Sequence, residues 1–579
     1  MDARLVRSSM LRFGHWLSRQ AVSALNSEAF WIAFAVALAG VEALGGRHDM
    51  NPDGLSYVDM AEASLRHGPR ELINGYWSPG YPALIAALFW FLQPSTALQF
   101  PVVHGLNFTL FLVTLLAWLS LTKPLRMADS GEHASDGGTR SSSFTPISFA
   151  LFITVTLGSI GLSLVTPDLG VLAAVLTLGL CVQRLNRKGS WGAAVVLGIV
   201  AGIGYWVKAV LFPLGAALIV LLWLRPPRIL AARGKVLVTT VLWLSVSAPL
   251  VLLVSDKVGR LTYSEVGNLT YAWYVNAAPS FWRPQGDSAL ALGALLHAPR
   301  MFAAKPPTLE FAGSMGGTFP LWYDPADWYA GVTAHFQLMS QLRVFRTSLR
   351  QLFDYWFVAN PLIPTALLGL WASRQRARHR SSPTSAPMTT LVLWSFMAIA
   401  LYAAVNPEPR LVAPFVLLLV LWAFVAAGGT RRTRAAQVVA TILAGYVCIV
   451  AASDVNHLAR QVIHAGEPSY LEAATNLRRS GLGPGARLAV IDMNGGRFDF
   501  TFAYAAHAAH DSVVAQILSP ESFPELTDLE VEQLASRLAE IRVAAIIAWH
   551  ADQRLLPGKG WRFVTLGDGS RFGILQTGR

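Results

Sequence analysis

Five ionisable residues stand where a very apolar chain has little reason to keep them: Asp53, Asp168, Lys208, Glu408 and Arg410. Asp53 lies in NPDGLSYVDMAEASLRHG, ahead of a predicted helix from Leu55 to about His67 that Gly68 stops. It reads either as an N-cap, a position Asp favours, or as a carboxylate held at a membrane surface to act as general base. Asp168, in SLVTPDLGV, sits between two apolar runs with almost no loop to keep it in water. Thr166-Pro167-Asp168 reads as a second cap or as an acid facing a bundle interior, because an ionised group at such depth costs about 2.5 to 3.5 kcal/mol. Lys208 interrupts the apolar stretch GYWVKAVLFP, either to snorkel toward the interface or to bind an anion, and NPEPRLVAP places Glu408 and Arg410 in a minimal turn between two long runs. Asp53, Asp168, Lys208 and Arg410, two acids and two bases at one membrane level, suit an anionic lipid headgroup together with a nucleophile that must lose a proton.

What must position these residues is a membrane bundle. The 579-residue chain is 53% apolar and only 14% charged, with mean hydropathy +0.44, which excludes a soluble globular enzyme. The net charge of +12 is not a nucleic-acid footprint: from Ser453 onward acids outnumber bases, so the excess sits in short clusters between apolar runs. Cys181 and Cys448 both lie within apolar runs, which supports neither a disulfide framework nor a zinc site. The basic N-terminus (Arg4, Arg7, Arg12, Arg19) is too polar and too long for an ordinary cleaved signal peptide, so the first apolar run reads as a retained anchor.

About eleven segments are long enough to span: 29–45, 98–121, 146–165, 169–183, 191–207, 209–224, 236–254, 352–372, 389–405, 411–428 and 435–452. The run 81–92 is too short and reads as re-entrant or interfacial. With the N-terminus cytoplasmic, the compact basic clusters fall inside: Lys123/Arg126/Arg140, Arg184/Arg187/Lys188, Arg225/Arg228/Arg233/Lys235, Arg374/Arg376/Arg378/Arg380 and Arg431/Arg432/Arg434. The outer face then receives loops 46–80 and 255–350 and the turns at Asp168, Lys208 and Glu408. Arg343, Arg346 and Arg350, on an amphipathic stretch with Leu342, Phe345 and Leu349, lie on that outer side and read as a helix on lipid headgroups. The polar stretch from Met127 to Ser143 reads as disordered.

The fold class expected is therefore mainly α: a polytopic membrane domain over 29–452 after a cytoplasmic segment 1–28, with a small soluble α/β domain over 453–579 outside. In that domain a helix is predicted at 469–479 and strands at 487–491, 512–516 and 544–549. Thr527 and Glu530 are predicted to form a capping box, and Gly567-Asp568-Gly569 a closing hairpin. The outer loops are rich in aromatics (Tyr76, Trp77, Tyr271, Trp273, Tyr274, Phe281, Trp282, Trp322, Tyr323, Trp328, Tyr329), which suit sugar stacking or an interfacial belt.

At these residues the chain resembles the GT-C superfamily of polytopic glycosyltransferases, in the branch of protein O-mannosyltransferases and lipid A aminoarabinose transferases. Asp53, Tyr57 and Ser78-Pro79-Gly80-Tyr81-Pro82 are similar to that family's first outer loop, Asp168 to a second acid opening a later helix, Lys208 to a Lys in an apolar run, and Glu408-Pro409-Arg410 to a late turn. The resemblance covers roughly residues 29 to 430. Gly54 departs from it, where many members carry a second acid, as do the missing Lys before the prolines and Asn406 and Leu411 in place of His and Tyr. It implies an inverting enzyme, a hexosyl- or pentosyltransferase, that moves a sugar from a polyprenyl-phosphate carrier to a glycan, lipid or protein acceptor. Asp53 and Asp168 would be catalytic, and Lys208, Arg410 and Glu408 would sit at the donor phosphate. Tyr57, Tyr76, Trp77, Trp322 and Tyr323 would contact substrate. No cofactor is firmly implied, although Asp168 would help hold a divalent cation if one is used. The expected location is a cell membrane, bacterial inner by type, with the C-terminal domain extracytoplasmic. The alternative is a transporter or flippase for lipid-linked sugars, which predicts ionisable groups along the depth of the bundle.

Overall fold

The computed structural model describes residues 27–134, 144–227, 229–278, 292–293, 295–311, 316–374, 385–426, 434–463, 466–492, 500–518, 520–550 and 556–578. The basic N-terminal segment, Arg140, Arg228, Phe281, Trp282, Arg376, Arg378, Arg380, Arg431 and Arg432 lie outside the described residues.

Helix α1 (Glu28–Gly45) is followed by the outer helix α2 (Pro52–His67), the short α3 (Gly80–Leu92) and the long α4 (Thr96–Ala134). Then come α5 (Phe144–Val155), α6 (Asp168–Lys188), α7 (Trp191–Val207), α8 (Leu211–Leu224), α9 (Ala232–Val258) and α10 (Val266–Tyr274). After the long loop follow α11 (Leu338–Phe353), α12 (Leu362–Arg374), α13 (Ser385–Ala403), α14 (Pro409–Ala426) and α15 (Arg434–Ile463). Helices α1, α4, α6, α9 and α15 each contain a stretch long and apolar enough to cross a membrane, with shorter apolar helices packed among them, and the protein is an integral membrane protein. Its apolar core includes Trp118, Phe152 and Trp394, all shut away from the outside.

Two local expectations change. Helix α4 runs on to Ala134, so the start of the stretch expected to be disordered is helical, since extending an existing helix is far cheaper than starting one. The run 352–372 is not one continuous α-helix. A wide turn at Asp354–Ala359 and the Asn360-Pro361 step, where the Asn360 side chain accepts from the Leu362 N–H at 3.0 Å, divide α11 from α12. On α11, Leu342, Phe345 and Leu349 are exposed.

The C-terminal residues form α16 (Ser469–Arg479), β3 (Arg487–Asp492), α17 (Thr501–Ala508), β4 (Ser512–Ile517), α18 (Asp528–Glu540), β5 (Val543–Trp549), β6 (Arg562–Thr565) and β7 (Arg571–Gln576). The Thr527/Glu530 capping box opens α18. The sheet is not made by these residues alone. The long loop supplies β1 (Arg300–Ala304) and β2 (Pro307–Glu310), giving the order β1-β2-β4-β3-β5-β7-β6, with β4-β3-β5 parallel and the flanking pairs antiparallel. A second apolar cluster joins α2, the loop aromatics and one face of this sheet, so α2 is sandwiched between the bundle and the C-terminal layer.

Candidate functional site

Helix α2 starts earlier than Asp53 suggests. Asn51 is its N-cap, Pro52 takes the first helical position, and Asp53 falls inside the first turn. Asp53 is therefore not a cap, and its carboxylate is directed to another partner: Arg410 Nη2 lies 3.4 Å from Asp53 Oδ2, with each side chain 22% exposed. Asp168 is likewise the first residue of α6 rather than its cap, which is Pro167. The Thr166 hydroxyl donates to Asp168 Oδ2 at 3.1 Å instead of receiving a backbone N–H.

Asp168 is the centre of the constellation. It is 2% exposed and receives Lys208 Nζ on Oδ1 at 2.5 Å and Arg410 Nη1 on Oδ2 at 3.1 Å. Lys208 caps the C-terminus of α7 in an extended conformation, so it does not snorkel away from its helix but turns onto this acid. Arg410, second in α14, also donates through Nε to Glu408 Oε2 at 2.9 Å. One guanidinium thus serves three carboxylates through three different nitrogens. Five residues from four distant stretches of chain meet at one place.

The approach of these elements depends on small residues and on a polar bracket. A Cβ on Gly80, at the start of α3, would lie 2.7 Å from the Trp206 carbonyl, so α3 reaches the end of α7 beside Lys208 only because nothing projects there. A Cβ on Gly54 would lie 2.6 Å from Val165 Cβ and 2.7 Å from Met50 Sδ. There is accordingly no room for a second acid next to Asp53. The segment 161–165 that delivers Asp168 is held by Glu42, whose Oε1 accepts from the Leu162 N–H at 2.6 Å, and by Asn51, whose Oδ1 accepts from the Val165 N–H at 2.8 Å. Asn107 donates to the carbonyls of Leu162 and Leu164, and His104 Nδ1 lies 3.0 Å from the Leu162 carbonyl. No local sequence signal marks Glu42, Asn51, His104 or Asn107 for this role.

Burial raises the pKa of Asp53 above the ordinary carboxylate range, and Arg410 only partly offsets it. A carboxylate so placed is a stronger base than one in water.

The predicted substrate-binding aromatics divide. Tyr57 is buried one turn beyond Asp53, with Trp77 and Tyr81 edge-on at 5.3 Å each. Tyr76, only half-buried, lies edge-on to Trp77 at 4.6 Å. Asn74 folds this turn: its Oδ1 accepts from the N–H groups of Tyr76 and Trp77, and its Nδ2 donates to the Tyr323 carbonyl at 2.8 Å. Trp322 is buried, and its carbonyl accepts from Ser56 and from Trp77 Nε1. Tyr323 is 4% exposed and lines a different cavity, beside Asp59 and Glu62. Trp322 and Tyr323 therefore form part of the wall fastening the loop to α2, and neither presents an open stacking face. Among the described residues no group of three His, Cys, Asp or Glu side chains is arranged to hold a metal ion.

No protein-family model and no curated protein sequence matches the chain. Among solved structures it superposes on ArnT from Cupriavidus metallidurans bound to undecaprenyl phosphate, with TM-score 0.51 and 11% identity, covering 94% of this chain and 97% of that one. Looser overlaps are found with the oligosaccharyltransferase AglB from Archaeoglobus fulgidus (TM-score 0.45, 12% identity, 90% of this chain and 69% of that one). The arabinofuranosyltransferase AftD from Mycobacteria also overlaps (TM-score 0.42, 14% identity, 93% and 37%). With ArnT matched over nearly the full length of both chains, the protein shares the overall fold of that structure.

Proposed function

We propose that the protein is a membrane glycosyltransferase that moves a sugar from a polyprenyl-phosphate carrier to an acceptor at the extracytoplasmic face, with its N-terminus cytoplasmic in a bacterial inner membrane. The observation that carries this reading is the convergence of Asp53, Lys208 and Arg410 around the buried Asp168. The undecaprenyl phosphate bound to ArnT supports the choice of donor class.

The acceptor O–H or N–H gives its proton to Asp53 as its oxygen or nitrogen attacks the anomeric carbon. The bond from that carbon to the phosphate oxygen breaks, and the electron pair leaves on the polyprenyl phosphate, so the anomeric centre inverts. Lys208 and Arg410 stabilise the charge that gathers on the phosphate. An ammonium has three N–H donors and a guanidinium five, so both keep donors beyond the contacts described above. Asp168 has its oxygens occupied by Lys208, Arg410 and Thr166, and serves here as a positioning residue that holds both cations. Two cations face three carboxylates, so an entering phosphate competes with a carboxylate, and Asp53, at 3.4 Å, is the most weakly held. Donor binding thus releases Arg410 from Asp53 and leaves the base free only when a donor is present.

Purified protein in nanodiscs, supplied with radiolabelled polyprenyl-phosphate sugars and an envelope fraction as acceptor, tests this. Donor consumption with label appearing in the acceptor is expected, reduced about 10²-fold or more in Asp53→Asn. Wild-type transfer by a folded Asp53→Asn protein removes the proposed base, and passage of lipid-linked sugar across vesicles without transfer removes the enzyme.

A further inference from the structure

A second polar cavity, of about 280 Å³, lies where the C-terminal half of α2 meets the long loop and the C-terminal layer. At about 100° per residue, Asp59, Glu62 and Arg66 lie about 120°, 180° and 140° around α2 from Asp53, so the helix itself separates this cavity from the charged cluster.

Its lining is acidic. Asp59, Glu62, Glu71 and Asp511 face Arg66 as the one arginine or lysine, which disfavours a phosphate or other anion. Most of these carboxylates are already engaged. Asp59 accepts from the Thr318 N–H and hydroxyl and lies 3.1 Å from His507 Nδ1. Glu62 accepts from Gln99 and Arg66, and Asp511 Oδ1 accepts from Arg478 and the Ala486 N–H. Two lining groups are left over. Asp511 Oδ2 and the Tyr323 hydroxyl are buried with no hydrogen-bond partner, although such an orphan costs about 1 to 3 kcal/mol. One acceptor and one donor-acceptor, with no group of side chains arranged to hold a metal among the described residues, suit the hydroxyls of a neutral ring better than a metal ion or a polyamine. The size is near the lower end of small-molecule pockets and has room for a sugar ring.

We propose that this cavity is a saccharide-binding site that holds a non-reacting sugar of the acceptor. Its assignment to the acceptor rests on the transferase reading; the binding of a sugar does not.

Saturation-transfer NMR on the full-length protein in detergent, using the methyl glycosides of glucose, mannose, galactose and N-acetylglucosamine, tests it. At least one glycoside is expected to bind saturably. Tyr323→Phe removes only an orphan hydroxyl, so the fold is retained while Kd rises about threefold to tenfold, the worth of one hydrogen bond. Ala63→Leu, at a lining position, is expected to abolish the signal, and Asp53→Asn to leave it unchanged. Absence of binding by all four glycosides overturns the proposal, as does an unchanged Kd in both cavity variants or displacement of the glycoside by spermidine or Ca2+ at the same site. If glycoside binding persists while Asp53→Asn transfers normally, only the proposed base falls; if it persists in a wild-type protein that transfers no sugar, the transferase reading and the assignment to the acceptor fall and the saccharide site stands.

Discussion

Replacing Asp168 with Asn keeps the size of the side chain and removes the charge that both cations share. Removing one partner of a fully buried ion pair costs about 3 to 5 kcal/mol. Asp168 is 2% exposed, but Lys208 and Arg410 keep 25% and 22% of their side chains open, and Arg410 retains Asp53 and Glu408. The lower end of that range, about 3 kcal/mol, is therefore the expected loss. Expressed in the positioning of the two cations, that is roughly a 100-fold fall in kcat/KM for the lipid-linked donor. The same loss should appear as coupling: in a double-mutant cycle of Asp168→Asn with Lys208→Gln, the second change should cost much less once the first is made, by about 1.5 kcal/mol or more. Donor turnover in nanodiscs supplies all four corners of the cycle. Additive effects, or an Asp168→Asn enzyme with wild-type donor kinetics, would refute the view that this acid holds the cations in place.

Arg410→Lys should lower donor turnover by about 10- to 100-fold in initial-rate assays, because one ammonium cannot span three carboxylates in a fixed fork and one or two charge-assisted bonds are lost. A change of less than twofold would contradict this. Gly54→Asp, which restores the acid common in the resembling family, should lower the thermal midpoint and the activity together, since overpacking costs about 1 to 3 kcal/mol before any buried charge is added. A stable and active Gly54→Asp protein would show that α2 shifts freely against Val165. The buried His507 has its pKa raised: burial opposes its charge, but Asp59, with Glu62 behind it, outweighs both burial and the repulsion of Arg66. Its stabilising contribution is therefore full below about pH 6.5 and fades as pH rises through the higher folded value. Hydrogen exchange in the C-terminal layer should accelerate at alkaline pH in the wild type, and His507→Gln should flatten that dependence.

Parts of this arrangement are legible in the sequence because they violate a strong local rule. Apolar runs of membrane length admit few charges, so Asp168, Lys208 and Arg410 stand out individually. Helix-end signals were less secure. Asp53 reads as a cap because Asp favours that position, yet Pro52 fits the first helical position so well that the cap lies two residues earlier, at Asn51. The bracket of Glu42, Asn51, His104 and Asn107 was invisible, since each acts on backbone atoms of a segment far away in sequence. The same holds for β1 and β2. The pairing of β2 with β4 joins residues some two hundred positions apart, and no local alternation reveals a partner at that distance.

The chemistry also explains why the aromatic residues were the least legible part. A Trp or Tyr in an outer loop has the same composition signal whether it stacks on a sugar, lies in a lipid interface or packs a loop onto a helix. What separates these outcomes is whether another element covers the ring. Tyr57, Trp322 and Tyr323 are covered because α2 is enclosed between the bundle and the C-terminal layer, while Tyr76 remains half-open on the side of the charged cluster. The same enclosure puts α2 in contact with both polar sites, with Asp53 on one face and Asp59 and Glu62 on the other. Under the proposed reading, filling the second cavity should therefore alter the apparent KM for acceptor while leaving donor affinity near wild type, and the reverse pattern would place the acceptor elsewhere.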